Sequence, residues 1–183
     1  MEYLSVKEGG SYIDCTAGAG GHMARIAELA GPAGFVLGCD IDREAVALCL
    51  LHLQELSSKG SVARFSVRNS SYLELPRLAS ELPARAADGV LLDFGCSSIQ
   101  LDSVERGFSF RSDNPLDMRF DPNSGTPTAA DLLETLSESE LADIFHFYGE
   151  ERRARALARK VVQERACSPI RTTGQFKDRK SVV

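Results

Sequence analysis

Between residues 11 and 94 the sequence alternates short apolar runs with stretches of helical periodicity, and that alternation leaves few folds open. Residues 11–16, 35–40, 62–67 and 89–94 read as strands. The last of these is apolar nearly throughout, as a strand covered on both faces of a parallel sheet should be. Between them, residues 22–29 repeat apolar side chains at helical spacing (Met23, Ile26, Ala27, Leu29), and 43–56 do the same with Val46, Leu50, Leu53 and Leu56. Residues 73–82 form a third helical stretch, interrupted by Pro76. A β-α-β-α-β-α-β order predicts an α/β fold with a parallel, doubly wound sheet. Right-handed crossovers then bring every strand's carboxyl end to one rim, where ligands bind in such folds.

The rim has a motif. Asp14-Cys-Thr-Ala-Gly18-Ala-Gly20-Gly21-His22 lies between the first strand and the first helix, and Asp40 ends the second strand. Glycines let the backbone turn sharply and let a ligand approach it, while the helix start offers free N–H groups. A carboxylate at the end of the second strand can accept both hydroxyls of a ribose. The glycines run GxGG, with His22 one short of the third glycine position of the dinucleotide fingerprint GxGxxG. That spacing counts against a nicotinamide-dependent oxidoreductase, the rival enzyme class on this fold. S-adenosylmethionine carries no phosphate; it needs a glycine turn, an acid for its ribose and an apolar cover for adenine. Tyr72 follows the third strand, where it would give that cover, and Asp93 ends the fourth. Each has a plainer reading: His22 as a helix cap, Tyr72 as a core aromatic, Asp93 as an acceptor for loop N–H groups.

The pattern changes after Asp102. Residues 103–127 read as loop, and 128–136, 137–147 and 150–166 as helices, the second opening on the capping-box pattern Ser137-Glu-Ser-Glu140. Residues 175–183 carry no strong pattern. We therefore expect two parts, 1–102 as the cofactor-binding Rossmann-like half and 103–183 as a helical insertion. Net charge is −5, yet residues 150–183 hold 10 basic residues against 4 acidic. A basic segment on an acidic body fits either an RNA contact or a solvated helix face, with Arg152 to Arg165 as candidates for phosphates or for intrahelical pairs. The five cysteines include no CxxC pair and their number is odd, which predicts free thiols and no metal site. No apolar run approaches the roughly 20 residues of a membrane span, and the first residues lack the pattern of a signal peptide.

One stretch is more specific. Asp88-Gly-Val-Leu-Leu-Asp93-Phe-Gly-Cys-Ser97-Ser98-Ile-Gln100-Leu-Asp102, Glu105-Arg106-Gly107-Phe-Ser-Phe110 and Pro115-Leu-Asp117-Met118-Arg119-Phe-Asp121 closely resemble, in order, the blocks D-G-x-L-x-D-L-G-x-S-S-x-Q-L-D, E-R-G-F-S-F and P-L-D-M-R-M-D of the RsmH (MraW) family. Gly18-Ala-Gly20-Gly21-His22 matches its G-x-G-G-H, Tyr148-Gly149-Glu150-Glu151 its Y-G-E-E, and Ile170-Arg171-Thr172-Thr173 is similar to a later stretch. The resemblance covers roughly residues 10–175.

It implies a class I Rossmann-like methyltransferase that uses S-adenosylmethionine to methylate N4 of a decoding-region cytidine in 16S-type small-subunit rRNA. The implied partners are that rRNA or the assembling small subunit, in the cytoplasm of a bacterium or in a mitochondrion or plastid. Arg106, Arg111 and Arg119 take an RNA-facing role only from this resemblance. The implied cofactor positions are Gly20, Gly21, His22, Asp40, Tyr72 (where the family usually has Phe), Asp93 and Gln100. Asp93, or a carbonyl of residues 95–98, is the candidate acceptor for a proton of the target amine. The family's H-x-x-V-L-L before the first strand is missing here. Its last strands, with an S-F-H-S-L-E-D segment, do not follow, so the sequence reads as ending inside the insertion. A four-strand sheet would leave an apolar edge open to a partner, a homodimer among them. A truncated product that binds RNA or a partner without turnover is the non-enzymatic alternative.

Overall fold

The computed structural model describes residues 3–83 and 86–181, and the chain divides into two compact units, Met1–Ser97 and Ser98–Val183. The first unit contains β1 (Ser11–Asp14), α1 (Gly21–Ala30), β2 (Phe35–Asp40), α2 (Arg43–Lys59), β3 (Arg64–Asn69), a 3-10 turn at Tyr72–Glu74, α3 (Leu75–Ala79) and β4 (Gly89–Leu91). The four strands form one parallel sheet in the order β3-β2-β1-β4, with Asp14 level with Gly38 on one side and Leu91 on the other.

That order explains the layers. From β1 the chain steps to β2 and β3 in one direction, and α1 and α2 cover the same face. Met23, Ile26, Ala27, Cys49 and Leu53 are fully buried there with Val36. After β3 the chain returns past β1 to β4, and α3 covers the other face, where Leu78 and Leu82 pack on Ile13, Leu37 and Cys39. The direction of winding reverses between β1 and β4, so the crevice beyond their carboxyl ends is the topological switch point. The third strand sits two residues later than expected. Val62 leads into it, and the ladder to β2 begins at Arg64 and runs to Asn69.

The second unit is helical: α4 (Ser98–Asp102), α5 (Ala129–Thr135), α6 (Glu138–Phe147), α7 (Ala154–Arg165) and α8 (Thr173–Ser181). Leu116, Leu133, Leu141, Leu157, Val161 and Ile170 form its core. Thr128 with Asp131, and Ser137 with Glu140, close two complete capping boxes. Two expectations are corrected here. α7 starts at Ala154, with no acid in its first turn. α8 is a helix where no pattern was legible; Asp113 Oδ1 and Thr172 Oγ1 accept from the amides of Gly174 and Gln175 at its start, and Phe176 packs on the core.

Among the described residues no helix is long and apolar enough to cross a membrane, and no group of His, Cys, Asp or Glu is placed to hold a metal ion. All five cysteines are free. Cys15, Cys39 and Cys49 are buried; Cys96 in the first unit and Cys167 in the second are exposed.

Candidate functional site at the carboxyl rim of the sheet

The glycine turn is built by backbone conformations that side chains resist. Gly18 and Gly20 have φ of 51° and 88°, in the left-handed region. Gly20 is the N-cap of α1, and a Cβ on it would lie 2.9 Å from Cys49 Sγ. A Cβ on Gly21 would meet nothing within 4 Å, so the first turn of α1 opens onto free space there. α1 has no side-chain cap, which leaves first-turn N–H groups available to a ligand and removes the reading of His22 as a helix cap.

Two carboxylates hold this turn. Asp40 Oδ2 accepts from Gly18 N at 2.9 Å, and its Oδ1 accepts from Asp42 N at 2.9 Å. Each oxygen keeps a second lone pair, so fixing the loop does not exclude binding hydroxyls. Asp14, fully buried at the end of β1, accepts from Thr16 N at 3.1 Å through Oδ1, while its Oδ2 has no hydrogen-bond partner. Burial pushes the Asp14 carboxyl up to about 6, against the opposing effects of the Thr16 amide and of His22. An orphaned buried oxygen beneath a glycine turn is a place where a ligand N–H or ammonium would be welcome.

This unfilled acceptor has a stability signature. The folded carboxyl binds its proton more tightly than the unfolded one, so the folded state is favoured on the acid side and loses that advantage as pH rises from about 4 to about 6. At neutral pH the charge costs about 3 kcal/mol by this shift. Asp14→Asn keeps an acceptor for Thr16 N and removes the charge, but buries an N–H without a partner, at a cost of about 1–3 kcal/mol. We expect the variant to be about 1 kcal/mol more stable than the parent at pH 7.5 and no more stable at pH 4.5. Urea unfolding at the two pH values checks this; a gain independent of pH would contradict it.

β4 stops at Leu91, so Asp93 does not end that strand as expected but lies in the loop after it. Its Oδ2 lies 3.6 Å from His22 Nδ1 across the rim, both side chains more than half exposed. Tyr72 is 43% exposed and therefore not a core aromatic; Phe94, 68% exposed, packs edge-on against it with ring centroids 5.4 Å apart. These contacts bring Gly20, Gly21, His22, Asp40, Tyr72 and Asp93 to the same rim of one unit. Gln100 belongs to the second unit, buried on α4. Asp14 and Thr16 stand in the motif, but the sequence alone assigns them no role. The available signal was a polar pair closing an otherwise apolar strand.

Among the arginines expected to face RNA, Arg111 faces Asp102 at 3.8 Å, and three are held by internal hydrogen bonds. Arg106 Nη2 donates to Phe120 O at 2.6 Å, Arg119 forks onto both oxygens of Asp117, and Arg165 Nη1 donates to Leu133 O and Leu136 O at the end of α5. Arg152 and Arg155 are exposed beside Arg153. Arg159 is exposed and pairs with Glu138 at 3.4 Å.

Comparison with known proteins adds to this geometry. The family model described as "MraW methylase family" matches residues 1–182. "Ribosomal RNA small subunit methyltransferase H" of Geotalea uraniireducens (strain Rf4) is 46% identical over 178 residues, covering 97% of this chain and 55% of that protein. The protein of the same name from Syntrophotalea carbinolica is 44% identical over 176 residues, covering 96% and 54%. The chain thus spans about half the length of the curated relatives it matches. A solved structure described as a putative rRNA-methylase from Clostridium thermocellum covers 42% of each chain at 29% identity and a TM-score of 0.38, too partial an overlap to bear on the fold.

Proposed function

Since the chain belongs to the MraW methylase family, we propose that it serves methyl transfer from S-adenosylmethionine to small-subunit rRNA, at N4 of a decoding-region cytidine. The observation that carries the reading is the meeting, at the switch point of the sheet, of a glycine turn opening onto free space, a strand-end carboxylate bonded to that turn, and an exposed aromatic. The relatives' printed names support rRNA of the small subunit as the substrate. The cofactor supplies an activated methyl group on a sulfonium.

The residues divide the remaining work. Gly20, Gly21 and His22 offer the uncapped start of α1 to the methionine portion. Asp40 accepts the ribose hydroxyls, and Tyr72 covers adenine. Gln100, on α4 of the second unit, matches a cofactor position of the family pattern. The exocyclic amine of cytosine shares its lone pair with the ring, so it needs close positioning and an acceptor for an N–H proton. Asp93, exposed at the rim, is that acceptor and holds the amine through its carboxylate. The second unit, read as the family's helical insertion, presents Arg152 and Arg155 to phosphates. For a bacterial protein this work belongs in the cytoplasm, on rRNA or on the assembling small subunit.

Calorimetry separates this reading from the oxidoreductase alternative, with S-adenosylmethionine giving saturable heat and NAD none. Methyl label should then pass to small-subunit rRNA and not to an rRNA whose target cytidine is replaced by uridine. Label on the uridine-substituted RNA would refute the N4 assignment, and binding of NAD in preference to S-adenosylmethionine would refute the reading itself.

A further inference from the structure

The parallel ladder between β1 and β4 ends where the two chains part. Leu91 O still accepts from Cys15 N at 2.9 Å, but β1 has by then begun to turn into the glycine loop. The next donor on the β4 side, Asp93 N, finds a side chain in place of a backbone carbonyl: it donates to Thr16 Oγ1 at 2.8 Å. The same hydroxyl faces Asp14 Oδ1 at 3.5 Å, and the Thr16 amide donates to that oxygen at 3.1 Å. Thr16 therefore extends the sheet by one rung after its backbone has left it. Donation to the buried carboxylate orients the hydroxyl so that its lone pair receives the Asp93 amide.

The connections form a closed path. Asp14 ends β1, Thr16 joins it to Asp93, and the Asp93 carboxylate faces His22 on α1, beyond the glycines that bend the chain from Thr16 back to that helix. Gly18, in the same turn, donates to Asp40. A ligand that settles on the turn and on Asp40 thus acts on the segment carrying Thr16, and through its hydroxyl on the main chain of Asp93. Asp93 is exposed, so little packing competes with this bond in fixing its place.

We propose that Thr16 is a positioning residue that couples occupancy of the glycine turn to the placement of Asp93. This rests on the methyl-transfer reading, because the ligand that fills the turn is taken to be S-adenosylmethionine. Valine is the informative replacement, since it matches threonine in shape and lacks the hydroxyl; serine keeps the hydroxyl and loses the methyl.

The test is hydrogen–deuterium exchange of the full chain with and without S-adenosylmethionine, read on a peptide spanning residues 92–97, alongside calorimetry. The parent and Thr16→Ser should show slower exchange of that peptide once the cofactor is bound. Thr16→Val should bind the cofactor about five- to tenfold more weakly, the worth of one hydrogen bond of about 1 kcal/mol or slightly more. At saturating cofactor it should show no added protection at 92–97. A merely structural role would lower protection in both states and leave the cofactor-induced difference in place. Equal cofactor-induced protection in Thr16→Val and the parent overturns the coupling alone. A parent chain that gives no heat with S-adenosylmethionine overturns the methyl-transfer reading and the coupling with it.

Discussion

Asp40→Ala should bind S-adenosylmethionine about 100-fold more weakly than the parent, a loss of about 2.7 kcal/mol. The carboxylate has two duties at once. Its Oδ2 restrains the glycine turn through Gly18 N, and its Oδ1 receives Asp42 N at the entry to α2. Its remaining lone pairs are what the proposed ribose hydroxyls would use. Bonds to an ionised acceptor contribute about 1.5–3 kcal/mol each, so losing the hydroxyl contacts alone accounts for most of the expected change. Asp40→Asn retains one acceptor and should fall between, near a tenfold loss. Calorimetry of the three proteins checks the order. Equal affinities in Asp40→Ala and the parent would show that the strand-end acid does not touch the ligand.

Gly20→Val should be the most damaging single change at the rim. Its backbone is left-handed, a region that costs an ordinary residue about 1–2 kcal/mol and a β-branched one more. Its Cβ would also stand 2.9 Å from Cys49 Sγ and 3.2 Å from Cys49 Cα, in the fully buried layer between the turn and α2. Overpacking there adds about 1–3 kcal/mol. A total near 4 kcal/mol is a large part of a domain's stability, so the expected outcome is a marked shift of the urea midpoint or a chain that fails to fold. Gly21→Ala is the control. Position 21 is the first residue of α1, its Cβ meets nothing, and alanine favours the helix by about 0.5 kcal/mol or more. It should unfold no earlier than the parent yet bind the cofactor less well, because the space it fills is where the ligand would lie. If both variants lost stability and binding in proportion, the turn would be a fold element and nothing further.

The rim was legible in sequence because its parts are local. A glycine turn after an apolar strand, and an acid at the end of the next, are set by neighbours a few residues away. Asp14 and Thr16 were not legible in role, since the partner that gives Thr16 its meaning is Asp93, and only the return of the chain from β3 past β1 to β4 brings the two together. The arginines show the same limit: whether Arg165 reaches solvent or the end of α5 depends on how the helices pack. At α7 the pattern places the helix start at residue 150, four residues too early. Instead Glu150 adopts a left-handed backbone with φ of 50°, and the amides of Tyr148, Gly149 and Glu151 turn back to Ile144 and Phe145. Those residues are spent ending α6 before α7 can begin. α8 is not legible in the sequence because its polarity hides an anchoring aromatic, Phe176, and because Asp113, which accepts from one of its first amides, lies far away in sequence.

The distribution of thiols lends itself to measurement. With three cysteines sealed in the sheet layers and one accessible sulfur on each of the two bodies, at Cys96 and Cys167, the native chain offers two natural attachment points for dyes or spin labels. A donor and acceptor placed there would act as a molecular ruler, reporting in solution how far apart the two bodies stand and whether RNA draws them together.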